Sequence, residues 1–298
     1  MGEIVIDRTL DGRTVKDFIR AGGISRAELI RLKKREDGIL LNGVRVTVRA
    51  VLKTGDRLYL GRDDRSDDEN PFVESVDLGL EPVFENDGLL AVCKPAGMPT
   101  HPSRNHLRDT LANGVAFIFS RRGIPFVFRA CNRLDRDTSG VVLVAKNKGT
   151  AKYMSELISS GGVEKTYVCV AEGAIDGEFA VNRNIKRRES SIIERCVCGD
   201  GEGQTALTRV FPVFSGAGMT LCRVKPETGR THQIRVHLAS VSHPVVGDTL
   251  YGNASPHIGR QALHCSEMKF RFGGEEIAVR APLPDDMAEL VKIMKGNQ

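Results

Sequence analysis

The segment Asn132–Gly140 reads NRLDRDTSG. It sets Asp135 and Asp137 among Arg133 and Arg136, just ahead of VVLVA, residues 141–145, a continuous apolar run suited to a buried strand. Arginines beside a carboxylate favour its ionised form. An ionised carboxylate is a poor general acid but a usable base or nucleophile, able to attack carbon and form a covalent intermediate. On its own, such a cluster reads more simply as a structural salt bridge in a loop. Two further segments change its weight. GRTHQIRVHL, residues 229–238, places Arg230 beside a glycine at an expected helix start, where a guanidinium can be offered bidentate to a carboxylate. EKTYVCV, residues 164–170, puts Tyr167 at the start of a strand, where a phenol can stack on a flat ring and use its hydroxyl.

Other chemistries find little support. The seven cysteines are scattered, mostly in apolar strand-like runs such as those of Cys93, Cys169 and Cys222, and read as reduced core residues. Cys196 and Cys198 form a C-x-C with no second pair at zinc spacing, and His232 and His237 lie five apart rather than four. No metal is expected. GDGEGQT lacks the spacing of a dinucleotide fingerprint, no Walker sequence is present, and Ser139 sits in DTSGV rather than G-x-S-x-G. No cofactor is expected.

Most of the elements that must position these residues can be traced by period. KPAGMPTHPS follows the apolar run LLAVC, which Lys94-Pro95 must end. Residues 150–160 have the helical spacing of Ala151, Met154 and Leu157/Ile158. KTYVCVAEG, TALTRVFPVF and MTLCRVKPETG alternate as half-buried strands. RTHQIRVHLASV turns to helical period, LHCSEMKFRF and EIAVRAP return to strand, and residues 285–295 close as a helix. Strands in succession with few crossover helices indicate an α+β fold with a mixed, largely antiparallel sheet around a central cleft.

Ahead of this lies a smaller αβ module. Residues 1–62 carry 14 Lys and Arg against 8 Asp and Glu, within a chain whose net charge is +5. Val15, Phe18 and Ile19 predict a short helix ended by Gly22-Gly23. Ser25-x-x-Glu28 is a capping box opening a second helix to about Asp37. Leu29, Ile30 and Leu32 share one face of that helix; Arg31, Lys34 and Arg35 share the other. Asn42-Gly43 predicts a hairpin. Residues 63–75 are acidic at their start and read as a linker, leaving 76–298 as the larger domain. A cationic helix face suits a phosphate backbone. NRNIKRRESS, with Arg183, Lys186, Arg187 and Arg188, is a second candidate phosphate clamp, equally readable as a solvated loop. No run of eighteen apolar residues or signal-peptide pattern appears, so no membrane association and a cytoplasmic location are expected.

Residues 81–283 resemble the RluA/RluD family of pseudouridine synthases, through KPAGMPTHPS, NRLDRDTSGVVLVAKN, EKTYVCVAEG, GQTALTRVFPV, PETGRTHQIRVHLASVSHPVVGDTLYG and RQALHCSEMKF, in that order. Residues 14–60 resemble an S-four type RNA-binding module. The resemblance implies isomerisation of uridine in RNA to pseudouridine, without cofactor. It implies Asp135 as the essential carboxylate, Tyr167 as the active-site tyrosine and Arg230 as the ion-pair partner of Asp135. It assigns Arg133 to displacing the target base and Leu263 to an apolar wall, with Arg31, Lys34 and Arg35 on RNA. Large-subunit ribosomal RNA is the favoured substrate, transfer RNA an alternative, and a monomer the expected state. The competing readings are a catalytically silent RNA-binding protein and a carboxylate-based glycoside or nucleoside hydrolase, which would favour a second catalytic carboxylate at a defined separation. One residue departs from the pattern: the family usually has histidine where this chain has Asn132.

Overall fold

The structure, a computed structural model, describes residues 3–21, 26–61, 73–103, 105–124, 126–199 and 201–296. The chain divides into two compact units, Met1–Asp68 and Glu69–Gln298. Most of the expected linker, along with Ser25 of the expected capping box, lies outside the described residues.

The first unit comprises β1 (Glu3–Val5), α1 (Val15–Ala21), α2 (Arg26–Lys34), β2 (Ile39–Leu41), β3 (Val44–Arg45) and β4 (Arg57–Leu60). Its sheet runs β1-β4-β2-β3, with the pairings antiparallel. Asn42 and Gly43 both adopt positive φ, 52° and 80°, so the β2–β3 turn has the twist that Asn-Gly favours. Val15, Ile19, Leu32, Leu52 and Leu58 form its separate core. Helix α2 stops at Lys34, three residues short of the expected end, and Ile30 is 48% exposed while Leu32 is buried. Ile30 lies about 160° round the helix from Leu32, so one sheet cannot cover both.

The second unit follows with β5 (Pro82–Glu85), β6 (Leu89–Lys94), α3 (Leu111–Ser120), β7 (Ser139–Ala145), α4 (Lys148–Ser159), β8 (Val163–Glu172), β9 (Phe179–Asn182), β10 (Asn184–Arg187), β11 (Arg195–Cys198), β12 (Leu207–Gly216), β13 (Met219–Pro226), α5 (Gln233–Ser240), β14 (Leu263–Phe272), β15 (Glu275–Arg280) and α6 (Asp285–Lys295). The main sheet runs β5-β6-β7-β14-β8-β13-β12-β9, with β15 on β14 and a separate β10–β11 hairpin. It is antiparallel except where β7 meets β14. This is the expected α+β fold with a mixed, largely antiparallel sheet. Strand β14 changes neighbour along its length: His264 and Cys265 pair with β7, and Glu267–Phe272 pair with β15. Two apolar cores result. One gathers β6, β7 and α3; the other gathers β8, β13, α5 and α6; Tyr167 packs against both. Helix α3, LANGVAFIFS, is apolar on most sides, so its period is hard to see in sequence; five of its hydrophobic residues are buried.

Candidate active site

The NRLDRDTSG segment enters β7 as a tightly anchored loop. Asn132 closes it at one end: its amide nitrogen donates to the Val141 carbonyl at 3.1 Å and its amide oxygen accepts from the Leu143 N–H at 2.8 Å. From there four successive carbonyls are held. Leu134 O accepts from the Thr100 hydroxyl at 3.3 Å, and Asp135 O accepts the Thr138 N–H at 3.1 Å, closing a turn. Arg136 O accepts from Lys94 Nζ at 2.8 Å, and Asp137 O accepts from Arg260 at 3.2 Å. The KPAGMPT segment is therefore a buttress. Lys94 is 0% exposed and also donates to Pro95 O and Met98 O at 2.9 and 2.7 Å. Burial pushes Lys94 down to about 7, against the pull of Asp137 and Asp135. Its three carbonyl partners engage all three N–H bonds of an ammonium; a neutral amine has only two.

Gly140 sets the loop's far end. It has φ +123°, and a β-carbon there would lie 2.2 Å from the Cys265 carbonyl oxygen across the parallel β7–β14 contact. Only glycine permits both the backbone angle and the approach.

The partner of Asp135 is not the expected one. Arg230 turns away and donates from Nε to the Thr205 carbonyl at 3.0 Å. The ion pair is made by Arg235, whose Nη1 lies 2.9 Å from Asp135 Oδ2. The cause is the helix that follows. Gln233, the first residue of α5, reaches back with its side chain, accepting the Arg230 N–H and the Thr228 hydroxyl and donating to Leu207 O and Thr208 Oγ1. This anchors Arg230 in the loop before the helix, and Arg235 projects from within the first turn. Buried Asp248 grips the other edge of the Arg235 guanidinium, with Nε–Oδ2 2.6 Å and Nη2–Oδ1 2.8 Å. The cation also lies 5.1 Å from the Tyr251 ring centroid. Burial opposes the charge on Arg235, but the hydrogen bond to Asp248 and the charges of Asp248 and Asp135 more than reverse this, and its pKa is raised.

Tyr167 stands on β8 opposite Cys265 of β14. Burial, then the Cys265 thiol and the charge of Asp135, push its phenol well above the ordinary value, so it stays protonated at neutral pH. Asp135, Tyr167, Arg235, Arg230, Arg133 and Leu263 all line one cleft of about 800 Å³. That is within the range of about 300–1,000 Å³ usual for ligand pockets. Leu263 is buried in its wall and Arg133 is exposed. His232 also faces Asp135, with Nε2 3.9 Å from Oδ1. A second groove of about 370 Å³, lined by Lys186, Arg187 and Gln204, shares Arg195, Arg230 and Thr231 with the cleft. Lys186 is paired with Glu202 and Arg188 with Glu194.

In the first unit, Lys34 is exposed and Arg35 is paired with Asp37 at 2.7 Å; the side chain of Arg31 lies outside those described. Among the described residues, no three His, Cys, Asp or Glu side chains gather as a metal would require. No helix among them is long and apolar enough to cross a membrane.

Sequence reasoning missed Arg235, although GRTHQIR contains it. The available signal was an arginine set between Ile234 and Val236 in a helix that buries residue after residue, where a charge needs a partner.

A family model described as RNA pseudouridylate synthase matches residues 88–240. The chain is 37% identical over 282 residues to a Bacillus subtilis protein described as the uncharacterized RNA pseudouridine synthase YjbO, covering 94% of this chain and 98% of the relative. It is 32% identical over 238 residues to the ribosomal large subunit pseudouridine synthase D of Zymomonas mobilis, covering 74% of each. Among solved structures, human RNA pseudouridylate synthase domain containing 1 superposes with a TM-score of 0.58 at 27% identity, covering 73% of this chain and 95% of that one. The matched span holds Lys94, the Asp135 loop, Tyr167 and Arg235, and the chain belongs to the RNA pseudouridylate synthase family, of the RluA/RluD type: it is an isomerase that acts on RNA.

Proposed function

We propose that this enzyme converts specific uridines of large-subunit ribosomal RNA to pseudouridine, with Asp135 as the essential carboxylate, Arg235 as its ion-pair partner and Tyr167 beneath the uracil. The observation that carries the reading is the carboxylate itself: one oxygen of Asp135 is pinned by Arg235 at 2.9 Å, and the residue opens on a cleft also lined by Tyr167 and Leu263. The reaction breaks the bond from N1 of uracil to C1′ of ribose, turns the base, and joins C5 to C1′. The proton on C5 leaves and N1 gains one, so nothing is oxidised or hydrolysed. Asp135 serves any of three routes: attack on C1′, attack on C6 of the base, or removal of a ribose proton towards a glycal. Arg235 holds the carboxylate charged and aimed. Tyr167 offers a ring face to the uracil and a protonated hydroxyl near C5.

The reacting atoms are hidden in a stacked helix, so the nucleotide must be extruded; Arg133, exposed among the lining residues, takes the vacated place. Arg230 joins the cleft to the basic groove and contacts the backbone phosphates there. The first unit adds phosphate contacts through the α2 surface that carries Arg31, Lys34 and Arg35. The ribosomal assignment draws on synthase D relatives, described as acting on the large ribosomal subunit. On this reading the enzyme works as a monomer in the cytoplasm.

Mapping pseudouridine across cellular RNA with and without the gene tests the substrate. Loss of signal at large-subunit uridines is expected; loss only in transfer RNA overturns that assignment. Asp135→Asn should abolish product while RNA affinity stays within a few fold. Persistent turnover in that variant removes Asp135 from its role.

A further inference from the structure

The approach of His232 to Asp135 has more to it than proximity. His232 holds φ +57° and ψ 18°, a left-handed conformation that a residue bearing a β-carbon seldom adopts, at the N-cap of α5. Such outliers concentrate at functional sites. Its Nδ1 lies 2.8 Å from the Tyr251 hydroxyl oxygen. That oxygen also accepts the Arg195 N–H at 2.8 Å. Burial pushes the Tyr251 phenol up, so it keeps its proton, and His232 Nδ1 is the acceptor within its reach. Burial pushes His232 down, so the imidazole is neutral. A neutral imidazole that accepts at Nδ1 carries its proton on Nε2. The phenol thus fixes the tautomer, and an N–H points at the free side of Asp135.

The 3.9 Å between Nε2 and Asp135 Oδ1 exceeds a hydrogen bond. The other carboxylate oxygen is already taken by Arg235. An atom seated between them, about 2.8 Å from each, must donate to the carboxylate and accept from the N–H. Uracil has N–H donors and carbonyl acceptors but no atom that does both. A water does both, and of the groups on the bound nucleotide a hydroxyl does. Within an RNA chain the 3′ oxygen is esterified, which leaves the 2′-hydroxyl, on the carbon next to C1′.

We propose that His232 and Asp135 together grip the 2′-hydroxyl of the target nucleotide, making His232 a substrate-binding residue that selects ribose over deoxyribose at the reacting position. This rests on the isomerase reading of the same cleft. The grip seats the sugar against Asp135 and gives the enzyme its discrimination against DNA at that one nucleotide.

A double-mutant cycle across protein and RNA tests it. The probe is a synthetic stem–loop spanning a uridine that the wild-type enzyme converts in a large-subunit ribosomal RNA transcript, made with either uridine or 2′-deoxyuridine at that position. The protein is wild type or His232→Asn, which tolerates positive φ but cannot reach; His232→Gln is the second variant. The wild type should lose about 10- to 100-fold in kcat/KM on the deoxy probe, the range expected for removing one such hydrogen bond. His232→Asn should lose a similar factor on the ribose probe, and little more on the deoxy probe. Intrinsic effects of the missing hydroxyl are common to both proteins and cancel. Losses that multiply independently in both variants, or a wild type indifferent to the 2′-hydroxyl, overturn the proposal. A wild type that isomerises no uridine in the transcript overturns the ribosomal assignment instead.

Discussion

The guanidinium of Arg235 serves two carboxylates at once: a two-point contact with buried Asp248 and a third N–H to Asp135. Lysine cannot reproduce this, because an ammonium is a point donor on a flexible stem. Arg235→Lys should therefore lower kcat on the order of 10²-fold or more, by analogy with loss of one preorganised donor. Arg230→Lys should leave kcat nearly unchanged and raise KM for RNA, since the Arg230 guanidinium donates to the Thr205 carbonyl and faces the basic groove. Steady-state kinetics of the two variants separates them; the reverse order restores Arg230 as partner. Tyr167 gives a second residue-scale test. Its phenol pKa is raised, chiefly by burial, so the folded protein keeps the proton while an unfolded chain would lose it near pH 10. Ultraviolet titration of the wild type and Tyr167→Phe should superimpose up to about pH 10. The linkage sign is negative above that pH: the folded state binds the extra proton, so stability falls as pH rises.

At the level of elements, the loop from Asn132 to Thr138 is preorganised by its surroundings rather than by its own composition. Thr100 and Lys94 of the KPAGMPT segment and Arg260 from a second segment reach it and fix the carbonyls of Leu134, Arg136 and Asp137. Such a backbone resists the small displacements that misplace a reacting carboxylate. Asn132 gives this a local measure. Its side chain supplies one donor and one acceptor to two backbone groups of β7. A histidine ring also offers one donor and one acceptor, which explains how this chain departs from the usual family residue without losing the loop. Asn132→His should keep most activity. Asn132→Ala leaves both groups unpaired, at about 1–3 kcal/mol each, and should lower both Tm and kcat; thermal melts beside kinetics would show it. Full activity in the alanine variant would mean the clamp is dispensable.

On the scale of the molecule, two cores meet at Tyr167, and the cleft opens along their seam where β14 passes from β7 to β15. The site therefore draws on segments as distant as Lys94 and Arg260, and damage to either core should reach it. The first unit has a core of its own and the densest run of positive charge. Removing residues 1–68 should weaken RNA binding several-fold. It should also flatten the salt dependence, because fewer phosphates are neutralised and fewer counterions released. Filter binding across a salt series checks this, and an unchanged slope would assign the module elsewhere.

That Asp135 and Tyr167 belong to one site, and the order of the motifs, were legible in the sequence, since each depends on residue type within a short segment. The α+β class followed from strand after strand with few helices between them, and the hairpin at Asn42-Gly43 from its demand for positive φ. Helix α3 escaped because a segment apolar on most sides has no period to read. Chain order was also silent on which arginine meets Asp135. Arg230 and Arg235 lie five residues apart in one motif, and the hold of the Gln233 side chain on the Arg230 N–H and the grip of Asp248, 13 residues further on, bring the second of them to Asp135. A contact across 100 residues is decided by how two cores pack, and no local pattern carries that information.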